Sequence, residues 1–130
     1  MVATASLDGT SGLWDAATGQ SRTPPLRHAK AVRWVHFSQN GKLVATASDD
    51  GTARIWSAQT GEPLGEPLRH KGPVLSVEFA RSGTLLATAS EDKTVRVWEV
   101  SSGRSVGAPR QRSRVAPLAQ QVVIAADKGA

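Results

Sequence analysis

The sequence predicts an all-β fold in which a small antiparallel sheet is repeated in tandem, and three observations support this prediction. Trp14, Trp56 and Trp98 are spaced by 42 residues each time. An Ala-Thr-Ala-Ser run precedes each tryptophan at the same interval. Turn signals such as Asp-Gly interrupt short alternating runs about every eight to twelve residues, which is typical of an antiparallel meander and not of a βαβ unit.

The period divides the chain into four segments. Residues 1–26 form a partial first unit, 27–68 and 69–110 form two complete units, and 111–130 follow them. The two complete units are identical at 18 of 42 positions without a gap. A repeat of this size cannot bury its own apolar face, so we expect each unit to pack against its neighbours. The strands expected in the first complete unit are Val32–Phe37, Leu43–Ser48, Thr52–Trp56 and Glu62–Leu68.

The two ends of the chain depart from the complete unit. Met1 aligns with Leu43, so the sequence opens in mid-unit. Pro117 falls where the next inner strand is due, and proline has no N–H to donate to a sheet. We therefore expect residues 111–130 to be a degenerate or disordered tail. The strands expected in the partial first unit are Val2–Ser6, Ser11–Trp14 and Ser21–Leu26.

Composition excludes several classes of function. The chain has no cysteine, which removes disulfides, thiolate metal sites and a thiol nucleophile. It shows neither a signal-like leader nor an apolar run long enough for a membrane span, so we expect a cytoplasmic protein without a membrane partner. The formal charge of +5 comes mainly from arginines near the carboxyl end. Because this basic patch has no interleaved aromatic residues, nucleic acid is an unlikely partner.

The complete units resemble the tryptophan–aspartate (WD) repeat of β-propellers. In the first of them the resemblance rests on His28, the run from Leu43 to Thr52, and Ile55-Trp56; the second fits equally well from His70 to Trp98. The phrase Thr-Gly-Glu-Pro-Leu looks most like the bacterial form of the repeat. The resemblance implies four-stranded blades stacked around a ring, which in this family usually has about seven of them.

This chain supplies only about three such blades, which is an incomplete ring. We therefore expect one of two arrangements. Either the chain is a piece of a longer propeller, or several copies assemble and close the ring.

The resemblance also implies a buried hydrogen-bonded tetrad in each unit. A turn aspartate accepts from a histidine, the histidine orients toward a serine, and the serine meets the indole N–H, so that each buried polar group has a partner. Thr46 and Thr88 share a strand face with these serines and are the alternative hydroxyls. The implied members are His28, Ser48, Asp50 and Trp56; His70, Ser90, Asp92 and Trp98; and, in the partial unit, Ser6, Asp8 and Trp14.

Histidine, serine and aspartate together could also suggest a hydrolase triad. An enzyme needs one exposed nucleophile, whereas here the same residue types recur with a tryptophan in successive units. Asp49-Asp50-Gly51 lacks the alternating oxygen ligands of a calcium loop, and Gly61–Gly65 lacks the Gly-Lys-Ser/Thr of a phosphate loop. The sequence therefore predicts no enzyme activity, no metal and no cofactor.

The predicted function is a non-catalytic scaffold that binds protein partners through the loops at one end of the propeller. Trp34 is not required by the repeat, because Ser76 occupies the aligned position. It is either an anchor for a partner or a filler against the neighbouring blade. An alternative function is a regulatory or sensing segment of a larger bacterial kinase or protease. The candidate contact residues are Leu7, Lys30, Trp34, Asp49, Lys71 and Glu91.

Overall fold

A computed structural model describes residues 1–111 of the chain, and these residues form eleven β-strands and no helix. The expected tail at 111–130 lies outside the described residues except for Gln111. The strands, in chain order, are β1 (Val2–Ala5), β2 (Thr10–Trp14), β3 (Leu26–Arg27), β4 (Val32–Phe37), β5 (Leu43–Ser48), β6 (Thr52–Ser57), β7 (Leu68–Arg69), β8 (Val74–Phe79), β9 (Leu85–Ser90), β10 (Thr94–Glu99) and β11 (Arg110–Gln111).

The strands form three antiparallel sheets in which each strand pairs with the next in sequence. The first sheet has the order β1-β2-β3, the second β4-β5-β6-β7 and the third β8-β9-β10-β11. Glycines with positive φ sit in the hairpin turns, for example Gly9 and Gly51 with φ of 92° and 85°. A glycine reaches this backbone region without a steric penalty, which allows the tight turn. The predicted all-β meander is confirmed.

The last strand of the first sheet and that of the second sheet are shorter than the sequence predicts. Leu26–Arg27 and Leu68–Arg69 are two-residue strands, and single bridges join Trp14 to Ser21 and Trp56 to Pro63. The predictions of continuous strands at 21–26 and 62–68 are wrong. Proline cannot donate to a sheet, and in the second sheet Gly65 turns the chain with a φ of 74°.

Every sheet has two faces of different composition. Thr46 lies opposite Arg54 and Val44 opposite Trp56, so these residues share one face, which we call the tryptophan face. Ala45 and Ala47 alternate with them on the other face, which we call the alanine face. The same assignment holds for β1-β2 and β9-β10, whose registers match.

The sheets pack alanine face against tryptophan face, twice in the same sense. In the first interface, Leu13 and Leu26 of the first sheet pack against Val44 and Trp56 of the second. In the second interface, the alanine face of the second sheet packs against the tryptophan face of the third. The alanines allow the sheets to approach closely, which interior packing density requires. The buried members of the second interface are Ala45, Ala47, Ala53, Ile55, Leu68, Val74, Val77, Phe79, Leu86 and Trp98.

The two outer faces differ in exposure. On the tryptophan face of the first sheet, Val2 is 48% and Trp14 37% exposed, whereas their counterparts Val44 and Trp56 are 0% and 5% exposed. The first sheet therefore presents an uncovered apolar face. The alanine face of the third sheet is buried, and its cluster includes Ala87 and Ala89.

Candidate interaction surface

One end of the molecule carries the loops before β4 and β8 and the turns of three hairpins, β1–β2, β5–β6 and β9–β10. The His28 N–H donates to the Gly9 carbonyl at 2.8 Å, and the Val32 N–H donates to the Ser6 carbonyl at 2.9 Å. At the other side of the same loop, the Asp49 N–H donates to the Ala31 carbonyl at 2.9 Å. The loop before β4 therefore joins the β1–β2 turn to the β5–β6 turn.

The next loop repeats this arrangement one sheet further on. The His70 N–H donates to the Gly51 carbonyl at 2.9 Å, and the Glu91 N–H donates to the Pro73 carbonyl at 2.9 Å. Turns and loops thus alternate along one continuous border, which we call the turn edge. The turn edge consists of residues 6–10, 28–32, 48–52, 70–74 and 90–94.

A chain of side-chain hydrogen bonds fixes the first loop from inside. His28 Nδ1 lies 2.9 Å from Asp50 Oδ2, and the Thr46 hydroxyl lies 2.6 Å from His28 Nε2. The Trp56 indole donates to the same hydroxyl oxygen at 2.9 Å. These contacts fit a neutral imidazole that donates through Nδ1 and accepts through Nε2. Every polar atom in this buried chain has a partner, which makes the loop geometry specific.

The third sheet contains the same chain with nearly the same distances. His70 Nδ1 lies 3.0 Å from Asp92 Oδ2, and the Thr88 hydroxyl lies 2.6 Å from His70 Nε2. The Trp98 indole donates to Thr88 at 2.9 Å.

The hydroxyl in this chain is the threonine, so the assignment of Ser48 and Ser90 to the tetrads is wrong. Thr46 is diagonal to Trp56 across β5 and β6, because Trp56 pairs with Val44. Diagonal side chains are within reach of an aromatic ring. A serine two residues further along the strand lies about 7 Å closer to the turn, beyond the indole N–H.

The serines instead bind the loop backbone. The Ser48 hydroxyl lies 3.0 Å from the Lys30 carbonyl and 2.9 Å from that of Ala31, and it accepts the Asp50 N–H at 3.1 Å. The Ser90 hydroxyl makes the equivalent contacts in the third sheet. The assignment of Ser6 is corrected in the same way, because Trp14 donates to Thr4 at 2.9 Å while Ser6 accepts the Asp8 N–H.

Burial and hydrogen bonding set the protonation states of this chain. Burial lowers the pKa of His28 and of His70, and the hydrogen bonds to Asp50 and Asp92 offset this only in part. Burial acts to raise the pKa of Asp50, but hydrogen bonds from Thr52 and His28 outweigh it and hold the pKa below its usual value. A neutral imidazole beside a carboxylate is therefore the state at neutral pH.

This geometry does not build a serine nucleophile. The hydroxyl next to each imidazole belongs to Thr46 or Thr88, and both side chains are fully buried. A nucleophile must be reachable by its substrate. In the part of the chain that the structure describes, His28 and His70 therefore hold loops in place.

Most of the candidate contact residues lie on the turn edge with exposed side chains. Leu7 is 74% exposed, and Lys30, Lys71 and Glu91 are exposed as well. Asp49 is partly buried and accepts two hydrogen bonds from Arg33, Nε to Oδ1 at 2.8 Å and Nη2 to Oδ2 at 2.6 Å.

Sequence reasoning missed Arg33. The signal that could have found it is its position on a predicted strand that neighbours the strand before the acidic turn. The aligned residue in the third sheet is Leu75, so Glu91 has no equivalent arginine.

Trp34 and His36 lie on the alanine face of β4, opposite Ala47 and Ala45. His36 reaches the third sheet, where its Nδ1 accepts the Phe79 N–H at 3.2 Å and its ring stacks on the Phe79 ring with centroids 6.1 Å apart. Trp34 remains 46% exposed beside it. His36 thus contacts the third sheet, and nearly half of the Trp34 surface stays accessible.

A comparison with models of known protein families identifies the family of this chain. A family model described as "WD domain, G-beta repeat" matches residues 21–57 and 61–99, which together make up more than half of the chain. The chain therefore belongs to the WD-repeat family. Proteins of this family are generally non-catalytic and generally mediate protein–protein interactions.

A solved structure supports the same fold. The crystal structure of the computationally designed Ika8 protein matches with a TM-score of 0.72 and 25% identity, over 84% of this chain and 34% of that chain. The three sheets are therefore blades of a β-propeller, and they form an incomplete ring. The chain spans about a third of the length of the designed protein. A search of curated proteins found no match. Among residues 1–111, no helix is long and apolar enough to cross a membrane.

Proposed function

We propose that this chain is a non-catalytic scaffold that binds protein partners on its turn edge. The observation that carries the proposal is the continuous series of backbone hydrogen bonds between turns and loops. Leu7, Lys30, Asp49, Lys71 and Glu91 belong to the turns and loops that these bonds join, which supports the proposal. A border built from loops on a rigid sheet framework is the usual location of binding residues.

The turn aspartates hold the loops in one conformation. Asp50 Oδ2 accepts the Ala29 N–H at 3.2 Å as well as the His28 imidazole, and Asp92 Oδ2 accepts the Lys71 N–H at 3.1 Å. The backbone at Lys30 and Lys71 is thereby fixed before a partner arrives. Preorganised loops lose less conformational entropy on binding, which favours affinity.

The chemistry of the edge favours a partner that brings both an apolar anchor and charge. Leu7 is an exposed apolar side chain on the turn edge, and Trp34 is exposed on β4, just beyond the edge. Buried apolar anchors supply most of the binding energy in many interfaces. Lys30, Lys71 and Glu91 are exposed charges on the same edge, and such charges steer association. Asp49 contributes less charge than its sequence suggests, because Arg33 pairs with its carboxylate.

Self-assembly of copies into a closed propeller is a further part of the proposal. What supports it is the uncovered tryptophan face of the first sheet, where Val2 and Trp14 are exposed. Light scattering on the purified chain tests this part. A mass several times that of one chain is expected, and a well-folded monomer would contradict it.

The partner-binding surface is tested by capture with matched variants. The tagged chain is compared with Lys30→Glu plus Asp49→Lys on the turn edge, and with Gln39→Ala plus Lys42→Ala on the opposite β4–β5 turn. We expect the first variant to lose the captured partners and the second to retain them. Retention of every partner by the turn-edge variant would show that the surface is misassigned.

Localisation in the cytoplasm and a bacterial origin stay predictions.

A further inference from the structure

A cleft lies between the second and third sheets, at the end of the molecule opposite the turn edge. It has a volume of about 290 Å³ and lies where β4 and β8 end, with His36 and Phe79 among its lining residues. Gln39 and Arg81 also line it, from equivalent positions in the turns that follow these two strands. Pockets for drug-sized molecules are usually larger, so this cleft suits a small ligand.

The imidazole of His36 has a fixed tautomer and a free hydrogen-bond donor. Its Nδ1 accepts the Phe79 N–H at 3.2 Å, so the neutral ring carries its proton on Nε2. Burial lowers the pKa of His36, which favours this neutral form. The ring stacks on that of Phe79 with centroids 6.1 Å apart, which holds its orientation. Within residues 1–111, no group bonds to Nε2, so its N–H is available to a ligand.

Arg81 adds a positive charge to the same cleft. Its side chain is exposed, and no ion pair within residues 1–111 includes it. The exposed Gln39 amide offers a further N–H donor. The two turns, residues 38–42 and 80–84, contain no aspartate or glutamate. The side chains that line the cleft thus present donors and one positive charge.

The one acidic residue beside the cleft faces the other way. Glu78 lies opposite Ala87 on the alanine face of the third sheet, whereas Phe79 lies opposite Leu86 on the tryptophan face. Successive side chains of a strand point to opposite faces, and it is the tryptophan face that meets the second sheet and His36. The Glu78 carboxylate is therefore on the far side of its sheet, where it does not compete with a ligand for Nε2.

We propose that this cleft binds the carboxylate of a small organic molecule. The Nε2–H of His36 and the guanidinium of Arg81 donate to the carboxylate oxygens, and the Phe79 ring contacts the organic part. One guanidinium and one neutral imidazole match the single charge of a carboxylate better than the double charge of a phosphate. The site lies at the end opposite the turn edge, so it is additional to the proposed scaffold function and does not depend on it.

Benzoate is the probe for this site, and NMR titration of the full ¹⁵N-labelled chain measures its binding. We expect saturable shifts at the His36 ring and the Phe79 amide, with a dissociation constant in the millimolar range. Benzamide has the same shape without the charge and should bind at least about tenfold more weakly. The absence of saturable shifts with benzoate, shifts confined to the turn edge, equal binding of benzamide, or displacement by inorganic phosphate would overturn the proposal.

Two variants of His36 separate its two nitrogens. In His36→Asn the amide oxygen can replace Nδ1 as the acceptor for the Phe79 N–H, but the side chain is too short to place a donor at Nε2. In His36→Gln an amide N–H reaches the Nε2 position. We expect benzoate to bind about tenfold more weakly to the asparagine variant than to the glutamine variant. Equal binding by the two variants would show that Nε2–H is not the donor and that the proposal is wrong.

Arg81→Gln tests the charge, with Lys42→Gln as the matched control. Both remove one positive charge from a turn at this end of the molecule, but Lys42 does not line the cleft. We expect about tenfold weaker binding for the first variant and unchanged binding for the second. Equal effects would reduce Arg81 to a general electrostatic contribution and contradict the proposed contact. A circular dichroism spectrum checks the fold of each variant; should a His36 variant fail to fold, the exposed Arg81 and Lys42 pair still decides the outcome.

Discussion

His28 and Asp50 are 22 residues apart in sequence, yet Nδ1 of the imidazole lies 2.9 Å from Oδ2 of the carboxylate. His28 belongs to the loop that leaves the first sheet, and Asp50 belongs to a turn of the second. One side-chain contact therefore fixes the connection between two blades. The same contact recurs between His70 and Asp92. Each complete repeat therefore contains both a sheet and the contact that fixes the loop leading into it.

Thr46→Val tests the importance of the threonine in the hydrogen-bonded chain around His28. Valine has nearly the same shape, but it leaves the His28 imidazole and the Trp56 indole without their shared partner. We expect the free energy of unfolding to fall by about 2–3 kcal/mol. Urea denaturation measures it, and Thr60→Val on an exposed turn is the control, with a change of at most about 0.5 kcal/mol. Equal effects at the two positions would contradict the buried chain.

The pH dependence of stability follows from the lowered pKa values of the histidines. A histidine whose folded pKa lies below its unfolded value of about 6.5 stabilises the fold fully above that pH. This contribution to the stability of the fold is lost as the pH falls from about 6.5 through the folded pKa. His28, His70 and the partly buried His36 all have lowered pKa values and share this window.

The turn aspartates add a second window at lower pH. Asp50 and Asp92 have pKa values below the usual 3.8, so their contribution is present above that pH and is lost as the pH falls through their folded pKa. Unfolding at a series of pH values should therefore show two declines in stability. Histidine titration by NMR checks the first, and folded pKa values above about 6.5 would reverse its sign.

Lys93 is expected to be a weak point of the third sheet. Its φ is 69°, and among the described residues it is the one non-glycine residue with a positive φ. It occupies the turn position that Gly9 and Gly51 occupy in the first and second sheets. Lys93→Gly should raise the free energy of unfolding by about 1 kcal/mol, because it relieves left-handed backbone strain. Thermal denaturation measures the change. The reverse substitution, Gly51→Lys, is the matched control and should destabilise; a gain from both would refute the strain argument.

Ala45 tests the close packing between the second and third blades. It is fully buried in the interface with Val77 and Leu86. Ala45→Leu inserts three extra carbon atoms there, and overpacking of this kind costs about 1–3 kcal/mol. Ala16→Leu on an exposed turn is the control, and urea denaturation should show little change for it. If Ala45→Leu were equally well tolerated, the two blades would not be in close contact.

The repeat made the fold accessible to sequence reasoning. The spacing of Trp14, Trp56 and Trp98 predicted the number of sheets, and the turn glycines predicted the hairpins, because both depend on short stretches of sequence. The outer strands were predicted too long, since the bridge at Pro63 and the turn at Gly65 depend on how the edge of a sheet is completed.

The site was harder to predict because it depends on register. Thr46 and Ser48 are equally small, polar and on the same strand face, and only the pairing of Val44 with Trp56 decides which hydroxyl meets the indole. The pairing of Arg33 with Asp49 depends in the same way on β4 lying beside β5. Neither contact follows from residue type alone.

The most direct test of the proposed scaffold is hydrogen–deuterium exchange of this chain with and without a captured partner. The account predicts slower exchange on the turn edge, at residues 6–10, 28–32, 48–52, 70–74 and 90–94, and no change in the β4–β5 and β8–β9 turns at the opposite end. Protection confined to those opposite turns, with the turn edge unchanged, would contradict it.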